Sequence, residues 1–267
     1  MAITTIKLGT LEYLTAEGIS VPHCFTTRLG GVSSGTLSSM NIGQSRGDSL
    51  ENVAENYRIL GKSIGFDPEK LVLTKQIHSD IVRVTGCKEW GLHLVAGASA
   101  QCDALVTNDP GTALAIFTAD CTPILLHDPI TGAVGAAHAG WRGTAADIAG
   151  KTVRAMVEAF GCDPANIRAA IGPNLGFCCF ETDGDVPEAM LEAFGEAARA
   201  YIRPVGNKFY VDLKAINAMA LRRAGVKHIE ISTACTKCDP DRFWSHRVHG
   251  PTRGSQGAII VCKEAVK

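Results

Sequence analysis

Residues 104–143 read ALVTNDPGTALAIFTADCTPILLHDPITGAVGAAHAGWRG, and this stretch is the most densely apolar part of the chain. It contains four apolar runs, at Ala104–Thr107, Ala113–Phe117, Pro123–His127 and Ala133–Ala137. The turn-forming sequences Asn-Asp-Pro-Gly and Asp-Pro-Ile-Thr-Gly divide the stretch. Short apolar runs bounded by turns are typical of strands that are buried on both faces. We therefore predict buried, neighbouring strands here.

Helical patterns flank this block. Residues 50–64 predict a helix, because apolar residues recur on one stripe and Ser49 can cap the first turn. Residues 145–160 and 214–224 predict two more, and the sequence DVPE at 185–188 has the capping pattern that opens another. Further strands are predicted at Val21–Thr27, Leu71–Thr74, Ile81–Val84, Ile167–Ile171, Phe209–Leu213, Lys227–Ser232 and Gly257–Cys262.

This alternation predicts one mixed α/β domain over residues 1–267, with a loop at 86–101. The chain contains no internal repeat and no linker-like tract. Hydrophobic residues make up 46% and charged residues 20% of the 267 positions, which is typical of a globular protein.

Charge and hydropathy restrict the classes of function. The formal net charge is -1 and no basic block occurs, so we expect no nucleic-acid partner. The N-terminus has no basic start followed by an apolar core, and no apolar run approaches the roughly 20 residues of a membrane helix. We expect a soluble cytoplasmic protein without membrane attachment.

Three residues in separate parts of the chain have the side chains of a zinc centre. His78 lies in a polar break between two predicted strands, Cys121 lies where an apolar strand pauses, and His138 ends another strand. Zinc accepts mixed nitrogen and sulfur ligands, and three protein ligands leave a fourth position open in catalytic sites. The alternative is a buried thiol and two hydrogen-bonded histidines.

An anion site is the second candidate. Arg142 follows His138 at the start of a predicted helix, where free N–H groups and a guanidinium favour phosphate. A solvated arginine beside a capped helix is the alternative.

Four further cysteines stand out by their spacing. Cys235 and Cys238 have the spacing of a zinc ribbon or a redox pair, but the chain has no second matching pair. Cys178 and Cys179 are adjacent. For these four residues we expect a reduced, structural role, and a structural metal is the alternative.

The motifs together resemble the YfiH-like family nearly end to end. The most specific strings are DALVT at 103–107, TADCTP at 118–123 and HAGWRG at 138–143. Further matches are TTRLGGVS at 26–33, MNIG at 40–43, QIH at 76–78, AIGP at 170–173, CCFE at 178–181 and VDL at 211–213. Members of this family have been labelled polyphenol oxidases, peptidoglycan editing factors and purine nucleoside phosphorylases.

The resemblance implies a fold, a metal and an activity. The fold is an α-β-β-α layered arrangement, similar to the catalytic domain of a cytotoxic necrotizing factor. The implied metal ligands are His78, Cys121 and His138, with zinc as the metal and copper as a possible substitute. The implied activities are phosphorolysis of adenosine, inosine, guanosine and methylthioadenosine, and hydrolytic deamination of adenosine.

This chain departs from the family pattern at two places. Asn174 stands where the family often has cysteine. The sequence SHRVH at 245–249 replaces a Ser-Tyr-Arg-Arg string, so one arginine is missing. These changes bear on substrate preference more than on the metal ligands.

Other residues have expected roles in that chemistry. Cys121, His138 and Asp120 are the catalytic candidates, and Asp120 or Asp80 would move the proton. Arg142 and Arg28 are the candidates for phosphate. Gln76 and Asn41 could read the polar edges of the nucleoside, or could instead bond their own loops.

Three other functions compete with this interpretation. A cysteine hydrolase would use Cys121 as nucleophile and His138 as base, which suits an amidase that edits peptidoglycan precursors. A copper laccase needs many histidines, whereas this chain has eight and no His-x-His pair. A non-catalytic zinc module would close the site with Cys235 or His246.

Overall fold

The computed structural model describes residues 2–91 and 101–263. The strands are β1 (Ile3–Leu8), β2 (Leu11–Ala16), β3 (His23–Thr26), β4 (Leu71–Val72), β5 (Val82–Val84), β6 (Ala104–Thr107), β7 (Ala113–Thr118), β8 (Thr122–His127), β9 (Val134–Ala139), β10 (Arg168–Ile171), β11 (Glu181–Thr182), β12 (Ile202–Val205), β13 (Lys208–Val211), β14 (His228–Ile231) and β15 (Gln256–Val261). The α-helices are α1 (Leu50–Ile64), α2 (Trp141–Ala145), α3 (Ile148–Phe160), α4 (Asp185–Phe194), α5 (Leu213–Arg223) and α6 (His246–His249).

Two six-stranded mixed sheets form the centre of the protein. The first has the order β1-β2-β3-β15-β7-β4 and the second the order β14-β10-β8-β9-β6-β5. Three of the four predicted apolar strands, β6, β8 and β9, are hydrogen-bonded neighbours in the second sheet. The fourth strand, β7, belongs to the first sheet, where it pairs with β15 and β4. A buried strand is equally apolar whether it pairs within the same sheet or lies in the facing sheet, so the sequence could not distinguish the two arrangements.

The central strands of both sheets are buried on both faces, which explains their continuous apolar runs. Along β8, Leu125 packs between the sheets, whereas Ile124 and Leu126 pack under the helices of the second sheet. Helices α3, α4 and α5 cover that outer face. Helix α1 covers the outer face of the first sheet. The α-β-β-α order implied by the family resemblance is therefore confirmed.

The helix predictions hold with two corrections. Helix α1 has the predicted bounds, and the Ser49 side chain accepts the Asn52 N–H. The helix predicted over 145–160 begins later, as α3 at Ile148, because Asp147 adopts a left-handed backbone and caps it; a separate short helix, α2, precedes it. Asp185 is the first residue of α4 rather than its cap.

Four strands were not predicted. Strands β1 and β2 form a hairpin at the edge of the first sheet, where β1 is mostly exposed and lacks an apolar run. Strands β11 and β12 flank β13 in a third, small sheet. In the predicted loop at 86–101, residues 92–100 lie outside the described residues. Within the described ranges, no helix has both the length and the apolarity needed to cross a membrane.

The core between the two sheets supplies a stability test. Leu114 on β7 is fully buried in it, so Leu114→Ala removes packed methyl groups and leaves a cavity. We expect a loss of about 2–5 kcal/mol in the free energy of unfolding, measured by urea denaturation. Leu8→Ala is the control, because Leu8 is 50% exposed, and its effect should stay within about 0.5 kcal/mol. Equal losses in both variants would contradict the assignment of this core.

Candidate active site

The β8–β9 pairing places two of the predicted metal ligands side by side. Pro123 on β8 is opposite His138 on β9, and Cys121 immediately precedes β8. The antiparallel β8–β9 pair thus brings Cys121 and His138 together. His138 is 3% exposed and follows Ala136 by two residues, so it lies on the face between the sheets.

His78 joins them from the segment between β4 and β5. Its backbone has φ 60°, a left-handed conformation that is uncommon outside glycine. His78 Nε2 lies 3.9 Å from Cys121 Sγ, and the His78 and His138 ring centroids are 4.9 Å apart, edge to face. The ligand atoms of all three residues lie within 4.8 Å of one another. The fold therefore gathers three residues that are far apart in sequence.

A buried carboxylate, Asp103, fixes this arrangement. One oxygen accepts the His78 N–H at 3.0 Å and contacts His138 Nδ1 at 2.8 Å. The other oxygen accepts the N–H and hydroxyl of Ser79, at 2.7 and 2.6 Å. Burial would raise the pKa of Asp103, but hydrogen bonds from His138 and Ser79 lower it to about 2.

No role for Asp103 was expected from the sequence. Its only signal was an aspartate directly before a buried strand, within a family motif. Because the carboxylate takes His138 Nδ1, it leaves Nε2 as the nitrogen available to a ligand. A histidine oriented in this way by a carboxylate is typical of metal sites.

The residues fit a zinc-type ion. Two imidazoles and one thiol are a donor set that zinc accepts, and the N···S spacing is compatible with shared coordination. Gly140 lies against all three side chains. A Cβ there would lie 3.0 Å from His78 Cδ2 and 3.4 Å from Cys121 Sγ, so the glycine keeps this space open. These residues could bind a metal.

The electrostatics favour a thiolate at Cys121. Burial would raise the pKa of the thiol, but the neighbouring His138 charge and hydrogen bonds from both imidazoles lower it to about 6. Burial would lower the pKa of His138, but the charge of Cys121 and the bond to Asp103 raise it to about 9. The thiolate is the form of cysteine that binds metals and acts as a nucleophile.

The three residues line a cavity of about 770 Å³. This volume lies within the range of roughly 300–1,000 Å³ common for small-molecule sites. His246 lines the same cavity but, within the described ranges, is not part of the ligand group. Cys235 belongs to a different cluster. The group of three thus opens onto the cavity, as in catalytic sites rather than closed structural ones.

Of the described residues that line the cavity, Asp120 is the one carboxylate. Its backbone has φ 87°, and its two oxygens accept the Thr236 hydroxyl at 2.6 Å and the Arg247 N–H at 2.7 Å. Asp80, the other expected proton carrier, pairs with Lys151 and is outside the lining residues. Of the two expected proton carriers, Asp120 is the one that lies at the cavity.

The arginines predicted for phosphate lie elsewhere. The Arg28 guanidinium donates to the Ser38 and Pro240 carbonyls and stacks on the Trp244 ring. Arg142 is exposed and lies over the Trp141 ring. Neither arginine is among the residues that line the cavity.

Three other arginines, Arg46, Arg247 and Arg253, do line the cavity. Burial, together with the nearby Arg46 charge, lowers the pKa of Arg253 to about 10. Arg253 Nε is buried and has no hydrogen-bond partner within residues 2–91 and 101–263. Two close guanidiniums, one of them partly unsatisfied, favour an anion. No local pattern marked Arg46 or Arg253, because they lie in irregular segments far apart in sequence.

Gln76 and Asn41 are engaged by the protein itself. The Gln76 amide exchanges two hydrogen bonds with the Phe117 backbone, at 2.8 and 2.6 Å. Gln76 and Phe117 both line the cavity. Buried Asn41 donates to Asp48 and accepts the N–H groups of Gly43 and Ser255. Asn41 thus bonds its own loop, whereas Gln76 bonds to β7, a different part of the chain.

Comparisons with known proteins agree with this architecture. The sequence model of the family described as "Multi-copper polyphenol oxidoreductase laccase" matches residues 22–263. A Deinococcus radiodurans protein named "Purine nucleoside phosphorylase" is 38% identical over 251 residues, covering 94% of this chain and 92% of that protein. The crystal structure of Bacillus licheniformis YfiH superimposes with a TM-score of 0.91 at 29% identity, covering 98% and 99% of the two chains.

A longer relative extends the comparison to mammals. The mouse protein named "Purine nucleoside phosphorylase LACC1" is 36% identical over 251 residues. The match covers 91% of this chain but 56% of the mouse protein, so this chain spans about half the length of that relative.

The Asp103 carboxylate supplies a test of this site. Asp103→Asn replaces one acceptor oxygen by an amide NH2 group, which would face the N–H donors that Asp103 now accepts. The His78 segment and the His138 ring would then lose the contacts that orient them. We expect zinc affinity, measured by competition with a chromogenic chelator, to fall about 10–100-fold. Asp109→Asn is the matched control, because Asp109 accepts the Cys87 N–H in another loop. Unchanged zinc affinity in folded Asp103→Asn would contradict this role.

Proposed function

The chain belongs to the family described as multi-copper polyphenol oxidoreductase laccase, and from this premise we propose that it is a metal-dependent purine nucleoside phosphorylase. Its proposed substrates are adenosine, inosine, guanosine and methylthioadenosine, together with phosphate. A proposed second activity is the hydrolytic deamination of adenosine. The names of the relatives support the class of enzyme.

The observation that carries the proposal is the composition of the cavity. Its lining combines His78, Cys121 and His138 with the three arginines. Phe117, Leu175 and Phe180 add apolar surface. A purine nucleoside needs an apolar wall for its base, and its co-substrate needs cations. Both requirements meet in one cavity of suitable size.

We propose that His78, Cys121 and His138 hold zinc, with copper as the alternative ion. When bound, the ion would supply Lewis-acid stabilisation of developing negative charge at neutral pH. Asp103 keeps the His138 ring in the orientation that leaves Nε2 free. Gly140 keeps backbone close to the three side chains without filling the space between them.

Phosphate is assigned to the arginines that line the cavity. Arg46 and Arg253 offer guanidinium donors, and Arg253 Nε has no hydrogen-bond partner among the described residues. In phosphorolysis a phosphate oxygen bonds to the anomeric carbon of the ribose while the carbon–nitrogen bond to the purine breaks. The purine takes the bonding electrons and a proton. Fixed cations keep phosphate beside the ribose as positive charge develops on it.

Asp120 is the proposed proton carrier for the leaving purine and for deamination. Thr236 and the Arg247 backbone hold its carboxylate at the cavity wall. Aromatic contact with the base is proposed for Phe180 and Phe117, whose rings stand at the same cavity.

A second candidate function follows from the lowered pKa of Cys121. A thiolate beside a protonated imidazole is also the arrangement of a cysteine hydrolase, with Cys121 as nucleophile and His138 as base. Such an enzyme would suit amide substrates such as peptidoglycan precursors. It predicts covalent trapping of Cys121 by a substrate-like electrophile and activity that survives chelation.

Product analysis distinguishes the two functions. Zinc-loaded protein incubated with adenosine should release adenine only when phosphate is present, and should form inosine without it. Cys121→Ala should lose both products by more than about 100-fold and should lose the metal of this site, because one of three ligands is gone. The control is Cys87→Ala, which removes an exposed cysteine outside the site.

Either of two results would reject the phosphorylase. One is full activity in metal-free Cys121→Ala. The other is that zinc-loaded wild-type protein forms neither adenine nor inosine from adenosine, which would favour the cysteine hydrolase.

The phosphate subsite makes a separate prediction. Arg253→Ala removes a charge-assisted contact worth about 1.5–3 kcal/mol, so the KM for phosphate should rise about 10–100-fold. The rate of inosine formation without phosphate should stay nearly unchanged, because that reaction uses no phosphate. Arg58→Ala is the control, since Arg58 pairs with Glu55 on the exposed face of α1. An unchanged KM for phosphate in Arg253→Ala would remove Arg253 from this subsite.

A further inference from the structure

Four cysteines meet at one place outside the site described above. The Sγ atoms of Cys178, Cys179, Cys235 and Cys238 all lie within 4.8 Å of one another. Cys238 Sγ is 3.6 Å from Cys178 Sγ and 3.4 Å from Cys179 Sγ. With zinc–sulfur bonds of about 2.3 Å, sulfur atoms of a tetrahedral site are about 3.8 Å apart. The cluster thus has nearly the dimensions of a tetrathiolate zinc site.

The fold brings the four residues together from two loops. Cys178 and Cys179 follow β10, and Cys235 and Cys238 follow β14, which runs parallel to β10 in the same sheet. Parallel strands end at the same edge, so their following loops meet. In the sequence Cys235 and Cys238 have no evident partner pair, because the adjacent cysteines 178 and 179 lack the usual metal-ligand spacing.

The surrounding backbone is shaped around the sulfur atoms. The Gly176 N–H donates to Cys235 Sγ at 3.2 Å, a contact that favours the thiolate. A Cβ on Gly176 would lie 3.1 Å from Cys235 Cβ and 3.4 Å from Cys178 Sγ. A side chain at this position would therefore press on Cys235, whereas glycine leaves the contact relaxed.

A buried cation lies next to the cluster. Lys214 is 7% exposed, and its ammonium donates to the Ser232 and Ala234 carbonyls just before Cys235. It also interacts electrostatically with Cys235 and Cys178. Four thiolates around a divalent ion carry a net charge of -2, so a nearby buried ammonium offsets part of it.

We propose that Cys178, Cys179, Cys235 and Cys238 form a second, structural zinc site of the tetrathiolate class. A closed set of four cysteine ligands is characteristic of structural zinc. The sulfur separations exceed the disulfide bond length of about 2.05 Å, so a disulfide would require the sulfur atoms to move together. The proposal is independent of the reaction assigned to the other site.

The location gives this site a consequence for the cavity. Thr236 lies between two of the cysteines and donates to Asp120. Leu175 and Phe180 lie on either side of Cys178 and Cys179, and both line the cavity. A metal that joins the two loops would therefore hold one wall of the cavity and the hydroxyl that positions Asp120.

Metal analysis of the whole chain, purified without chelators, tests the proposal. We expect two zinc ions per wild-type chain, one in Cys121→Ala and one in the double variant Cys235→Ala/Cys238→Ala. Cys87→Ala, the matched control, should keep two. One zinc in the wild type together with none in Cys121→Ala would overturn the proposal, as would iron in place of zinc.

A thiol titration covers the case in which the double variant does not fold. Native Cys121→Ala should expose four additional reactive thiols when zinc is removed by a chelator, and the denatured, metal-free protein should show all nine remaining thiols, since the chain has ten cysteines. Fewer than nine thiols would indicate disulfides and overturn the proposal. No gain in reactive thiols on chelation would do the same.

The cobalt-substituted protein gives a spectroscopic readout. Cys121→Ala loaded with Co²⁺ should show the strong thiolate-to-cobalt absorption and the visible bands of tetrahedral cobalt. These bands should be absent when Cys235→Ala and Cys238→Ala are added. Equal spectra in the two proteins would reject the four-cysteine site.

Discussion

The buried Asp103 carboxylate is the interaction on which the site depends. It lies fully inside the protein, so its charge must be compensated, and the donors that compensate it are the His78–Ser79 backbone and the His138 ring. One charge thereby joins the segment before β5 to the end of β9. A displaced partner would leave a buried carboxylate without its hydrogen bonds, so the geometry of the ligand group is coupled to stability.

The two-sheet architecture provides the place for that carboxylate. Because helices cover both outer faces, each sheet is apolar on both sides, and polar groups collect where strands end. Cys121 lies before β8, and His138 lies near the end of β9. The cavity opens at that edge of the sandwich, where side chains from both sheets and their loops converge.

Local backbone strain also concentrates at this edge. Among the described residues, three non-glycine positions have positive φ, and two of them, His78 and Asp120, line the cavity. Such conformations persist only where surrounding contacts hold them. For His78 the contacts come from Asp103, and for Asp120 they come from Thr236 and Arg247. Thr236 belongs to the loop that carries Cys235 and Cys238, so the position of that loop also fixes the hydroxyl that Asp120 accepts.

Local pattern in the sequence was enough to locate most buried strands, helix α1 and the residue types of the ligand group. Periodicity and capping act over a few residues, so they can be read along the chain. The layered order came from the resemblance to known motifs. Local pattern did not predict that β7 belongs to the facing sheet, that a helix begins only after Asp147, or that β1 and β2 form an edge hairpin. These features depend on which of several possible packings of the whole chain is most stable.

The tertiary structure alone decided which distant residues meet. Asp103 reaches His138 because β6 pairs with β9, and the two cysteine pairs meet because β10 and β14 are parallel neighbours. Arg46 and Arg253 reach the cavity that Arg28 and Arg142 do not. A two-residue repeat specifies the face of a strand but not its neighbour, so strand order, and every site built across it, is set by packing of the whole chain.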